Sequence, residues 1–217
     1  MRLFSYESRF SQFILKLCYA CMLNLLWLVC SLPIFTVGAS TTALYYASLK
    51  IVRGEDSHVT AHFFKAFKEN FKQATQLWML LLGIGLFLGL DCYILFHLRQ
   101  SSHETAAVAW TLLLALVIAV IVVYFIVLEY VFPLLASVSN TNLAMLRNSF
   151  LIGTHYLFAT LLVFAVHFAM FYAVIAVFTP LIIFGEGLCA LISSWLLDRI
   201  LIACSGTPKE DEEDDTL

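Results

Sequence analysis

Long apolar stretches alternate with short polar ones along most of the chain. The runs 14–34, 77–97, 107–131, 156–178 and 181–203 each approach or exceed the ~20 residues that a helix needs to cross a bilayer. A sixth segment, 36–52, is shorter and rich in small residues, and its only charge is Lys50 near its far end. Pro33 and Gly38 mark a tight turn between the first run and this short one. Pro133 and Pro180 mark helix ends or kinks.

Ahead of the run at 77–97 the spacing of apolar residues becomes helical and one-sided. Phe64, Phe67, Phe71, Ala74 and Trp78 recur at three- and four-residue intervals, whereas Lys65, Lys68, Glu69, Lys72 and Gln73 lie off that face. The pattern predicts an amphipathic helix over 63–78 that continues into the next span. Residues 140–157 repeat the plan: Leu143, Leu146, Phe150 and Leu157 share a face, Arg147 and Asn148 do not, and Ser139 or Asn140 is placed to cap the start. Each half of the chain thus reads as an inward-running helix, a surface helix and an outward-running helix. Such surface helices either rest at lipid headgroups or present Phe64, Phe67, Phe71 and Lys68 as a docking face for a cytoplasmic partner.

Charge decides between five and six spans. If 36–52 does not cross, Arg2, Arg9, Lys16 and Arg99 fall on one side and the other eight Lys/Arg on the opposite side. If it crosses, eleven of the twelve Lys/Arg share one side and only Arg99 faces out. The positive-inside rule prefers the second split. The expectation is an all-α polytopic membrane protein with six transmembrane helices, the second one short, two cytoplasmic amphipathic helices, and both termini in the cytoplasm.

Composition agrees. Hydrophobic residues make up 62% of the 217 and charged residues 12%, and the mean hydropathy is +0.91, against about 25% charged in soluble domains. A soluble enzyme, a disordered chain and a nucleic-acid binder are all poor fits. The net charge of −3 is set by residues 210–215, Glu-Asp-Glu-Glu-Asp-Asp; without them and Lys209, 11 basic and 9 acidic residues remain. The expected organisation is one transmembrane domain over 1–205 and an acidic, disordered tail over 206–217. No cleavable signal sequence is expected, because the first long apolar run begins near Phe13 and lacks a small-x-small exit.

Candidate chemistry is sparse. No Walker A loop, H-E-x-x-H, G-x-S-x-G or G-x-G-x-x-G is present, so no catalytic residue and no cofactor is expected. Cys18 and Cys21 form a C-x-x-C inside an apolar run with no second pair, and all six cysteines read as buried apolar side chains. His58 and His62 lie four residues apart without a third ligand, so no metal site is expected. Ionisable groups inside apolar runs are more informative, because each is expensive in lipid unless paired or hydrated. Asp91, His167 and Glu186 are candidates for a polar or proton-linked pathway, and Glu129 lies near the inner end of the fourth helix. The alternative is that each is structural, with His167 making one interhelical hydrogen bond. Asn24 suits interhelical bonding, and Gly85 with Gly89 forms a G-x-x-x-G that lets another helix approach, within the chain or from a second copy.

The stretch from Asn24 through Trp27, Ser31, Pro33, Thr36 and Gly38 to Ala39 is followed by Thr42-Ala-Leu-Tyr-Tyr46, then Lys50 and Arg53. Together with Phe67–Trp78 and Phe132-Pro133-Leu-Leu, it resembles the YesL-like family of bacterial multi-pass membrane proteins, a family of unknown function. The resemblance covers about residues 1–205. It implies an association with carbohydrate uptake, since members are often encoded beside carbohydrate ABC importers, and it brings no catalytic residues; the expected location is the plasma membrane. The expected function is a non-enzymatic accessory component of such an importer, with lipid and permease subunits as partners. The permease itself is disfavoured, since neither cytoplasmic segment carries a Glu-Ala-Ala…Gly coupling loop. The rival is a small homo-oligomeric transporter or channel that uses Asp91 and His167; a membrane enzyme is the weakest alternative.

Overall fold

The computed structural model describes residues 9–55, 57–101 and 104–205; the acidic segment 206–217 and Ser102 lie outside them. Helix α1 (Arg9–Cys30) leads through a short 3-10 turn at Ile34–Thr36 into α2 (Val37–Val52). Two long helices follow, α3 (Val59–Ser101) and α4 (Glu104–Ser137), then α5 (Asn142–His155) and α6 (Leu157–Tyr172). Helix α6 loosens into a π turn (Ala173–Val177) and a 3-10 turn (Thr179–Ile183) before α7 (Gly185–Ser205). No strand occurs among the described residues. Among the described residues three helical segments, Val59–Ser101, Ala107–Ser137 and Leu157–Val177, are long and apolar enough to cross a membrane, and Ile14–Cys30 is a shorter apolar helix.

The core is built around α2. Twelve of its 16 residues are buried, from Gly38 to Ile51. The Thr36 hydroxyl donates to the carbonyls of Cys30 and Pro33, both at 2.6 Å, and closes the turn that reverses the chain. Within α2, Ser40 and Thr42 donate to the carbonyls of Thr36 and Gly38, so these buried hydroxyls need no outside partner. Small side chains let α3 come close: a Cβ on Gly38 would lie 2.5 Å from Trp78 Cβ and 2.6 Å from the Ala74 carbonyl oxygen. At its other end α2 is tied to α7 by Arg53 Nε and Asp198 Oδ1 at 2.8 Å, and Lys50 pairs with Glu55 at 2.6 Å.

Helix α2 therefore lies against the first half of α3. Beyond Trp78, α3 runs a further ~34 Å at 1.5 Å per residue, paired with α4. Buried side chains are few in this hairpin, and residues such as Leu86, Phe87, Leu112 and Leu116 are all more than 60% exposed. An apolar surface of this extent suits lipid or another apolar helix rather than water.

The helix over 63–78 and its continuation into the following apolar run form one helix, as the spacing predicts, but its buried face differs. The core takes Val59, Phe63, Ala66, Asn70, Ala74, Leu77 and Leu81, with Phe63 fully buried. Phe64 and Phe71 are left exposed and Phe67 is only partly buried. The observed face, with Phe63, Ala66, Asn70, Ala74 and Leu77, lies about one residue back from the aromatic one, and its smaller side chains against Gly38 of α2 let the two backbones approach. In α5 the buried residues are Met145, Ser149, Ile152 and Gly153, and Leu143 is 78% exposed. Its cap is Thr141, whose Oγ1 accepts from the Ala144 N–H at 3.4 Å. Asn140 serves otherwise: its Oδ1 accepts from the Thr141 N–H and its carbonyl accepts from Gln73 Nε2. Of the cysteines whose side chains are described, only Cys189 is buried and Cys18 is exposed, and all five are free.

Candidate functional site

Helix α4 carries Pro133 inside its last turns. Proline has no N–H, so the Glu129 carbonyl one turn earlier lacks its helical donor. The same turn turns the Glu129 side chain inward, where α6 and α7 each add an ionisable group. His167 Nδ1 lies 3.1 Å from Glu129 Oε1 and its Nε2 lies 3.6 Å from Glu186 Oε1. His167 thus sits between two carboxylates drawn from different helices. Glu186 occupies the first turn of α7, where the helix dipole favours a negative charge.

The contacts are close but incompletely satisfied. Nδ1 also lies 2.9 Å from the Val163 carbonyl of its own helix. Although Glu129 Oε1 is within ion-pair distance, it is buried without a hydrogen-bond donor. The two observations agree if the ring N–H points at Val163 and the Glu129 contact is electrostatic rather than a hydrogen bond. All three side chains are about a quarter exposed or less.

The group opens onto a cavity of about 220 Å³ that also borders Trp27, Thr41, Tyr45, Trp78 and Phe132. The Trp27 indole N–H donates to Thr41 Oγ1 at 3.0 Å and that of Trp78 to the Ile34 carbonyl at 2.7 Å. The Trp78 and Phe132 rings lie 6.2 Å apart. Helices α1, α2, α3, α4, α6 and α7 all contribute to the wall.

Asn24 braces one side of this site. Its Nδ2 donates to the carbonyls of Ile182 and Ile183 at 2.9 and 2.8 Å, and its Oδ1 accepts from the Gly187 N–H at 3.0 Å. These are backbone groups that the irregular link between α6 and α7 leaves without helical partners. Close packing of α7 on α1 needs Gly187, because a Cβ there would strike the Ala20 carbonyl and Asn24 Cβ.

The other sequence candidates lie elsewhere. Asp91 is half-buried on the far part of α3 and has no hydrogen-bond or ion-pair partner among the described residues, so the fold gathers His167 and Glu186 but leaves Asp91 apart. Glu129 completes the group; its position near Pro133 in an apolar helix was the available signal, and nothing in one-dimensional spacing tied it to His167. Gly85 faces the Tyr124 hydroxyl, 2.6 Å from where a Cβ would stand, while a Cβ on Gly89 would meet nothing within 4 Å. Phe64, Phe71 and Lys68 are on the exposed side of α3. His58 has a positive φ of 59° just before α3, and the His62 ring lies 6.3 Å from that of Tyr46, tilted at 57°. No group of three or more His, Cys, Asp or Glu among the described residues is placed to hold a metal ion.

A family model matches one part of the chain. The model of a family described as "Protein of unknown function, DUF624" matches residues 20–92, which comprise the second half of α1, all of α2 and most of α3. No curated protein and no solved structure matches. The matched segment supplies Trp27, Thr41, Tyr45 and Trp78 to the cavity, whereas Glu129, His167 and Glu186 follow it. The family model that matches residues 20–92 is that of the YesL-like domain of unknown function, the family that the stretch from Asn24 to Ala39 resembles.

Proposed function

We propose that the protein is a non-enzymatic, multi-pass component of the plasma membrane that serves as an accessory subunit of a carbohydrate ABC import system. Six spans with both termini cytoplasmic fit this role, supported by the eleven-to-one split of Lys and Arg. The carrying observation is the α3–α4 hairpin. It bears an apolar cleft of about 700 Å³ lined by Gly85, Leu88, Gly89 and Phe96 on one side and Leu114, Ile118 and Phe125 on the other. A cleft of that make-up accepts an apolar helix, and the open position over Gly89 lets a partner backbone approach. The permease subunits of the importer are the intended occupants. Pull-down of the tagged protein from native membranes in mild detergent tests the role. Co-recovery of permease subunits supports it, and a pure homo-oligomer argues for the second reading.

That second reading, a small oligomeric transporter or channel, is favoured by the Glu129–His167–Glu186 group in its cavity. The isolation of Asp91 from that group weighs against a continuous polar path within one chain. Asp91→Asn separates the two roles. The accessory role expects sugar uptake and membrane abundance to be retained; lost uptake at normal abundance, with permease subunits still bound, would favour transport through this chain.

A further inference from the structure

We propose that the cavity beside Glu129, His167 and Glu186 is a binding site for a small organic ammonium cation. The proposal goes beyond the importer role and does not depend on it.

The charge inventory comes first. Two carboxylates and one histidine line the cavity, and no Lys or Arg does. With both carboxylates ionised and the imidazole protonated, the walls would carry a formal charge of −1. The lysine and arginine at the far end of α2, Lys50 and Arg53, are engaged by Glu55 and Asp198. A buried charge without a counterpart is strongly unfavourable, so the site calls for a cation or an added proton.

Hydrogen bonding points the same way. His167 Nδ1 is 2.9 Å from the Val163 carbonyl, and Glu129 Oε1 has no donor. Nε2 is 3.6 Å from Glu186 Oε1, longer than a good hydrogen bond. Neither carboxylate is fully satisfied by the histidine between them.

The walls then select the kind of cation. Trp27, Tyr45, Trp78 and Phe132 border the cavity. Both indole N–H groups are committed elsewhere, to Thr41 and to the Ile34 carbonyl. What the tryptophans offer is π surface, which attracts organic cations and repels anions. The cavity, about 220 Å³, has room for several non-hydrogen atoms, given the ~30 Å³ share of a liquid water molecule. A bare metal ion would leave it largely empty.

Tryptophan fluorescence supplies the test. In the full chain, Trp110→Phe with Trp195→Phe leaves Trp27 and Trp78 as the two reporters. This protein, purified in mild detergent, is titrated with tetramethylammonium chloride, with sodium chloride as the control for ionic strength. The expected result is a saturable change with tetramethylammonium alone. Glu129→Gln and Glu186→Gln should each weaken it at least about tenfold, equivalent to about 1.4 kcal/mol. Phe132→Leu, which alters a wall but no charge, should weaken it several-fold and serves as the test if a carboxylate variant fails to fold by circular dichroism and gel filtration. No saturable change in the parent overturns the proposal and leaves the group as one that balances its charge with a proton. A response that persists unweakened in the folded variants also overturns it, as contact with some other aromatic surface. Failure to recover importer subunits in a pull-down would leave this result untouched.

Discussion

The Gly187 N–H donates to Asn24 Oδ1 at 3.0 Å, joining two residues 163 positions apart in the chain. With the two carbonyls that the same amide engages, Asn24 satisfies three backbone groups at the break between α6 and α7. Asn24→Leu keeps the volume but removes every one of these bonds. The expected loss is about 2–4 kcal/mol of stability, since buried backbone groups are left unpaired. Thermal unfolding in detergent should show a lower midpoint for Asn24→Leu, and an unchanged midpoint would mean that water already serves these groups.

Two glycines on the helices joined by the matched segment should respond in opposite ways. At Gly38 a new Cβ meets the Ala74 carbonyl oxygen at 2.6 Å, and a backbone atom cannot swing aside. Gly38→Ala is expected to lose about 1–3 kcal/mol through overpacking. At Gly89 nothing lies within 4 Å, so Gly89→Ala should be neutral or gain up to about 1 kcal/mol from helix propensity. Denaturation of the isolated protein compares them directly. A larger residue, Gly89→Leu, should spare folding but block a helix that docks in the α3–α4 cleft, read as lost permease subunits in a pull-down.

Removing His167 leaves Glu129 and Glu186 facing one cavity without the group between them. His167→Leu should lower stability by about 3–5 kcal/mol, the usual effect of stranding a buried charge. Adding Glu129→Gln and Glu186→Gln to that background should recover part of the loss, because the neutral amides remove the repulsion. Equal stability of His167→Leu and its triple-substituted relative would rule out electrostatic coupling in this group.

On the exposed side of α3, Phe67 and Phe71 should part company. The Phe67 ring stacks on buried Phe63 at 6.3 Å and packs against the core, so Phe67→Glu should reduce folded protein in the membrane. Phe71 is 37% exposed. Phe71→Glu should leave the fold intact and weaken only what this face contacts, whether lipid or a cytoplasmic partner. Membrane abundance measured beside partner recovery separates these outcomes.

Orientation can be read from tags. A tag at Ser57 and one at the C-terminus should both be protected from outside reagents, and one at Ser102 should be labelled, following the split of Lys and Arg. Labelling of an N-terminal tag from outside would point to five crossings, with α2 as a buried helix that does not reach both surfaces.

Helix positions were largely legible from the chain because they depend on local features. Run length, the three- and four-residue spacing of Phe64, Phe67 and Phe71, and turn residues such as Pro33 are all short-range signals, and the segments they mark are helical here. Registers were less so. The spacing of apolar residues on α3 tolerates a rotation by one position, and the observed register buries Phe63 rather than Phe64 and brings Ala74 against Gly38 of α2. The site depended on tertiary structure most of all. Asp91, His167 and Glu186 look alike in sequence, as ionisable residues in apolar runs. Which of them meet is set by how α4, α6 and α7 cross, and by the Asn24 brace that holds the start of α7 in place. A carboxylate in lipid demands some partner, a requirement that composition alone imposes; that Glu129 and Glu186 find the same histidine while Asp91 stays apart on the α3–α4 hairpin is a matter of helix packing, which no local spacing encodes.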